Sequence, residues 1–231
     1  MIPYIGVWAM SLVANAEAFA RLRHAEQIRK GAASEPYTNH LEEVAELVSR
    51  WGGVEAEIAA AWLHDTVEDC PPTSLVELKL NFGNKVADIV AELTDYKSLP
   101  KDERKRLQIV NAPKKSESAC LVKLADKSSN VAAISNSPPT DWSLERRIEY
   151  IEGAKSVVDG LKHKPAAAED DFFKRCYRAQ LDSVAALGSF RQGQDMALKV
   201  LEEKCRRSGI SEEDAKRFLK SFIASNLDQN R

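Results

Sequence analysis

Cysteine is scarce and scattered in this chain. Cys70, Cys120, Cys176 and Cys205 form no C-x-x-C pair, which argues against a zinc knuckle and against a dense disulfide framework. A reducing cytoplasm is the expected compartment. Long hydrophobic runs are missing too, and no stretch reaches the roughly eighteen apolar residues that a membrane span requires. The first twenty residues are apolar, and Ala18-Phe19-Ala20 imitates a cleavage site, but no Lys or Arg precedes them and Asn15 and Glu17 interrupt them. They read as the first helix of the fold, not as a signal peptide. No excess of positive charge exists: 33 Lys and Arg stand against 35 Asp and Glu, a net charge of −2. That balance argues against general coating of nucleic acid. Alternating strand patterns, internal repeats and low-complexity tracts are absent as well.

What remains is helical. Hydrophobic residues at 44% and charged residues at 29% are ordinary for a globular chain. Leu41, Val44, Ala45, Val48 and Trp51 repeat at the three-four spacing of one buried helix face, which Gly52-Gly53 ends. Ile58 to Leu63 is apolar all round, as a central helix is. Pro71-Pro72 breaks the chain, and Ser74 with Glu77 forms a capping-box pattern. Further helices are expected around Val86–Leu93, Leu121–Val131 and Leu144–Leu161. A composition shift near 162–171 suggests two parts, a domain over 1–164 and a helical extension over 165–231. In the extension, Phe172–Leu187, Met196–Cys205 and Ser211–Ala224 read as amphipathic helices whose role is packing or self-association into a homo-oligomer. The fold class is all-α.

Two features carry chemistry. From Lys97 to Lys127 nine Lys or Arg stand against four Asp or Glu, which reads either as a solvated helix face or as the wall of a site for a small anionic ligand. The segment His64-Asp65-Thr66-Val67-Glu68-Asp69 is more pointed. If the helix continues through it, His64 and Glu68 lie one turn apart, as do Asp65 and Asp69. Three carboxylates crowded at the end of an apolar helix are costly to bury unless a cation holds them. His40 and Asp126, on other predicted helices, supply the remaining ligand types. Two imidazoles and two carboxylates suit an octahedral divalent ion such as Mn²⁺ or Fe²⁺. His24 reads as packing or surface.

The order His…His-Asp…Asp, with Gln27-Ile28-Arg29-Lys30, Pro36-Tyr37-Thr38-Asn39-His40, Phe82-Gly83-Asn84-Lys85-Val86, Leu93-Thr94-Asp95, Glu103-Arg104-Lys105-Arg106 and Val122-Lys123-Leu124-Ala125-Asp126-Lys127, resembles the HD-superfamily hydrolase domain of RelA/SpoT homologues. The resemblance runs from about Ala16 to Leu161 and extends to the stand-alone small alarmone hydrolases, including their metazoan members. It implies an HD-domain helical bundle that holds Mn²⁺ through His40, His64, Asp65 and Asp126. Glu68 and Asp69 would activate and orient the attacking water. The reaction implied is removal of the 3′-pyrophosphate of (p)ppGpp, with Arg29, Lys30, Lys101, Asn130, Trp142 and Tyr150 binding the nucleotide. Trp142 and Tyr150 read equally as core aromatics. The partner expected is a small nucleotide, without nucleic acid or membrane, and a hydrolase without a synthetase region.

The chain departs from its relatives after Asn130, where Val131-Ala132-Ala133 lacks the hydroxyl that helps such proteins recognise guanine. Ser128-Ser129 also replaces bulkier side chains. Three alternatives therefore stand beside (p)ppGpp hydrolysis: hydrolysis of the adenosine alarmone (p)ppApp, removal of the NADPH 2′-phosphate, and non-catalytic nucleotide sensing.

Overall fold

A computed structural model describes residues 11–185, and all of its regular elements are helical. In chain order they are α1 (Leu12–Arg23), α2 (Thr38–Arg50), α3 (Glu55–Leu63), α4 (Thr66–Asp69), α5 (Leu75–Leu93), α6 (Lys101–Asn111), α7 (Glu117–Asn136), α8 (Leu144–Gly160) and α9 (Ala166–Ala185), with a 3₁₀ turn at Ala112–Lys114. Among the described residues no strand forms, and a single antiparallel bridge joins Ile28 to Pro36. The expected helices at 196–205 and 211–224 lie outside the described residues.

Small residues make α3 the hub. Ala59, Ala60 and Ala61 are fully buried, so α1, α2, α5 and α7 all approach it closely. Ala16 and Ala20 form the matching face of α1. The second hub is α7, buried on opposite sides. Ala119, Leu121, Val122 and Ala125 join the core made with α1–α3 and α5. Cys120, Leu124, Val131 and Ile134 join a second core with α8 and α9, in which Phe172 is fully buried. Burying a phenylalanine side chain stabilises by roughly 1.5–3 kcal/mol, so α9 is firmly seated against α7 and α8.

Local signals explain most of the boundaries. Serines cap α1, α5, α7 and α8, each hydroxyl accepting from a backbone N–H of the first turn. Only half of the expected box at α5 forms: Ser74 accepts from the Glu77 N–H, while the Glu77 carboxylate pairs with Arg23 at 2.5 Å. That helix is also interrupted at Gly83. The turn after α2 needs a glycine because a Cβ at Gly53 would stand 2.8 Å from the Val48 carbonyl oxygen and 2.5 Å from its Cγ1. Gly53→Ala is therefore expected to lower stability by about 1–3 kcal/mol, read as a drop in the urea midpoint. A midpoint equal to wild type would contradict this packing.

Candidate functional site

The helix does not run on through the His-Asp motif. It ends at Leu63, and Asp65, with ψ of −6°, sits between α3 and the short α4. The kink turns His64 inward beside Asp65, while a hydrogen bond from the Asp69 N–H to the Asp65 carbonyl (2.8 Å) keeps those two a turn apart. His40 arrives on the first turn of α2 and Asp126 on α7. The structure thus brings the four expected residues together. His40 Nε2 lies 3.7 Å from Asp65 Oδ2 and 3.6 Å from Asp126 Oδ1. His64 Nε2 lies 3.1 and 4.0 Å from the same two oxygens.

Each imidazole is held by its other nitrogen. His64 Nδ1 is 2.7 Å from the Ala61 carbonyl, which can only accept, so that nitrogen carries the proton. His40 Nδ1 is 2.9 Å from Ser129 Oγ. Both Nε2 atoms are buried with no hydrogen-bond partner, and a buried polar atom without a partner costs about 1–3 kcal/mol. Ligands bound about 2.1 Å from one octahedral ion stand about 3 Å apart when adjacent and about 4 Å apart when opposite. The observed separations fall in that interval, and two imidazoles with two carboxylates are an apt donor set for a divalent ion.

Electrostatics point the same way. Burial, aided by the neighbouring His64, pushes His40 down to about 3. Burial would lower His64 as well, but Asp65 and Asp126 outweigh it and raise the ring to about 9. In other words, the carboxylates draw a proton onto His64 where a cation would serve. Burial would raise Asp126, yet Lys123 and Lys127 hold it below the usual carboxylate range. Lys123 Nζ is 3.1 Å from Asp126 Oδ2, and Asn130 Nδ2 donates to Oδ1 at 2.5 Å.

Glu68 and Asp69 stand beside this group on α4. Glu68 is raised chiefly by burial; its Oε2 accepts from the Asp95 N–H at 3.1 Å, and Arg104 lies 3.6 Å from Oε1. Asp69 is paired with Lys97. A cavity of about 690 Å³ opens next to the group, walled by Arg29, Lys30, Lys97, Asn130, Trp142 and Tyr150. Its wall reaches the four residues through Tyr37, whose hydroxyl donates to Asp65 at 2.5 Å, and through Asn130. Trp142 and Tyr150 lie in this wall with ring centroids 5.3 Å apart while also packing on the second core, so both readings of these aromatics hold.

Lys101 is the exception among the expected residues: it is exposed on the first turn of α6 and does not line the cavity, whereas Lys97 does. The basic run of 97–127 divides accordingly. Lys123 and Lys127 are buried against Asp126, Lys97 faces the cavity, and Lys101, Lys105 and Arg106 are solvated. His24 proves to be a packing residue, fully buried and stacked on Tyr37. Sequence reasoning missed Lys97, the Tyr37 hydroxyl and the Ser129–Glu43 contact (2.7 Å). Tyr37 stands inside a noted motif, but nothing in the spacing marks its hydroxyl, and the loop before α6 has no periodicity to aim Lys97.

Known proteins agree with this geometry. The HD-domain family profile matches residues 16–151, more than half of the chain. The chain belongs to the HD-domain family. Within that family it groups with the metazoan SpoT homologues. It is 46% identical over 154 residues to the guanosine-3′,5′-bis(diphosphate) 3′-pyrophosphohydrolase MESH1 of Xenopus tropicalis, covering 66% of this chain and 86% of that protein. The human protein of that name is 46% identical over 146 residues, covering 62% of this chain and 81% of its own. A solved structure, described as a metazoan ortholog of SpoT that hydrolyzes ppGpp, superposes with a TM-score of 0.69 at 38% identity, covering 74% of this chain and 96% of that one. The family implies a divalent metal, and His40, His64 and Asp65 form a buried group whose ligand atoms lie within 4.8 Å of one another. No helix among the described residues is long and apolar enough to cross a membrane.

Proposed function

We propose that this protein removes the 3′-pyrophosphate of (p)ppGpp, with Mn²⁺ as its ion, releasing GDP or GTP and pyrophosphate. One observation carries the reading: two buried, unpartnered imidazole nitrogens face two carboxylates beside a cavity that carries Arg29, Lys30 and Lys97. The names of the relatives support the substrate, and the cavity volume lies within the usual range of about 300–1,000 Å³ for a small-molecule site.

A divalent ion held by His40, His64, Asp65 and Asp126 supplies Lewis acidity, making water more acidic near neutral pH and withdrawing charge from a phosphoryl oxygen. The protein's own side chains do the rest. Glu68, raised by burial, accepts the proton of the attacking water. Asp69 orients that water and tethers Lys97. Arg29, Lys30 and Lys97 offset the charge that builds on the phosphates. Trp142 and Tyr150 flank the base, and Asn130 steadies both Asp126 and Arg29. The bond between the ribose 3′ oxygen and its phosphorus breaks, and the 3′ oxygen leaves as a hydroxyl.

A second reading, hydrolysis of (p)ppApp at the same site, is favoured by Ala133, whose methyl lines the cavity where a hydroxyl would read guanine. Pyrophosphate release from ppGpp and ppApp, measured in parallel with phosphate release from NADPH, tests both. We expect turnover of ppGpp, and Ala133→Ser should shift the ratio toward guanine by about tenfold, the worth of one hydrogen bond. Pyrophosphate from neither alarmone would overturn the reading; phosphate from NADPH alone would move the substrate to a 2′-phosphate.

A further inference from the structure

The support of His40 extends to a helix beyond the family match. Ser129 Oγ stands between His40 Nδ1 (2.9 Å) and Glu43 Oε2 (2.7 Å). A serine hydroxyl has one proton, and a carboxylate can only accept. Ser129 therefore donates to Glu43 and must accept from His40, which places the His40 proton on Nδ1 and leaves Nε2 with a free lone pair. The opposite arrangement would set the hydroxyl oxygen against the carboxylate with no proton between them.

Glu43 is itself clamped. Arg175 Nη1 lies 2.8 Å from Glu43 Oε1, and Arg175 Nε donates to Asp171 Oδ2 at 3.0 Å. Arg175 and Asp171 belong to α9, outside residues 16–151. Glu43 lies one turn after His40 on α2, so the two side chains share a face. Ser129 is fully buried on α7, and Arg175 is only partly exposed, at 20% of its side chain. Phe172, fully buried one turn before Arg175, fixes where that guanidinium stands.

We infer that Arg175 is a positioning residue for the metal centre, acting through Glu43 and Ser129 to hold His40 in the tautomer and orientation that ligate an ion. Partners behind ligating histidines commonly contribute about 10–100-fold in metal affinity. The relay makes α9 part of the metal site rather than an appendage, and it explains why a small hydroxyl at 129 serves here. It rests on the metal-site reading proposed above, and the test separates the two.

The test uses the full-length chain, stripped of metal, with Mn²⁺ affinity read by competition against a fluorescent chelator. Arg175→Leu should weaken Mn²⁺ binding about tenfold, and Ser129→Ala by about 10–100-fold. Because both act through one relay, the double variant should be no weaker than Ser129→Ala alone to within about twofold, whereas independent effects would multiply. Arg175→Lys should recover most of the loss. Thermal unfolding of the metal-free variants measures lost packing separately, and Glu43→Gln, which leaves α9 untouched, stands in if Arg175→Leu does not fold. Wild-type affinity in Arg175→Leu, or penalties that multiply, would overturn the relay. Failure of the wild-type protein to bind Mn²⁺ at all, or binding unaffected by Asp126→Ala, would overturn the metal-site reading itself.

Discussion

Asp126→Ala is expected to abolish Mn²⁺ binding, to reduce turnover by more than about 10³-fold, and to destabilise the metal-free protein by about 3–5 kcal/mol. The two effects have separate causes. Oδ1 faces the unpartnered nitrogens of His40 and His64, so its loss removes a ligand and the lower edge of the charge that draws a cation in. Oδ2 faces Lys123 and Lys127, both less than a tenth exposed, whose ammonium groups would be left without a counter-charge. Removing one partner of a buried ion pair is far more damaging than the pair is helpful, because the desolvated charge remains. Asp126→Asn separates charge from volume: it should lose nearly as much stability, since it fills the space and still leaves the lysines unpaired. Calorimetric unfolding of the metal-free forms together with Mn²⁺ titration reads both effects. Wild-type melting in Asp126→Asn would show that the lysines do not depend on this carboxylate.

Glu68→Gln should separate binding from chemistry. The residue touches none of the four candidate ligands by hydrogen bond; its carboxylate is anchored by the Asp95 N–H and approached by Arg104. An amide of the same shape can keep the first of these contacts and cannot accept a proton. Mn²⁺ affinity and KM should stay near wild type while kcat falls by about 10²–10⁴-fold, the usual contribution of a positioned general base. Unchanged kcat would remove Glu68 from the mechanism and leave Asp69 as the carboxylate to examine.

The helical class and the four central residues were legible because they follow from period and from cost. Three-four spacing marks α2, and an alanine-rich apolar stretch marks the hub α3. Carboxylates next to an apolar helix end require a cation, which is how His64, Asp65 and Asp126 drew attention before their distances were known. What was not legible depended on where helices stop. Continuing α3 through His64 was the natural reading of the pattern, yet the helix ends at Leu63, and the bend is what turns His64 and Asp65 toward one point. Lys101 and Lys97 are alike in type and close in sequence, and the loop before α6 alone decides that Lys97 faces the cavity. The Ser129–Glu43–Arg175 chain joins three helices separated by long sequence intervals, and pairwise spacing carries no trace of it.

Titrating Mn²⁺ into chelator-stripped protein while following pyrophosphate release from ppGpp tests the central claim most directly. The account predicts no turnover without metal and activity that rises in step with occupancy, saturating at one ion per chain. Full turnover in the stripped protein, or a bound ion without any release of pyrophosphate, would contradict it.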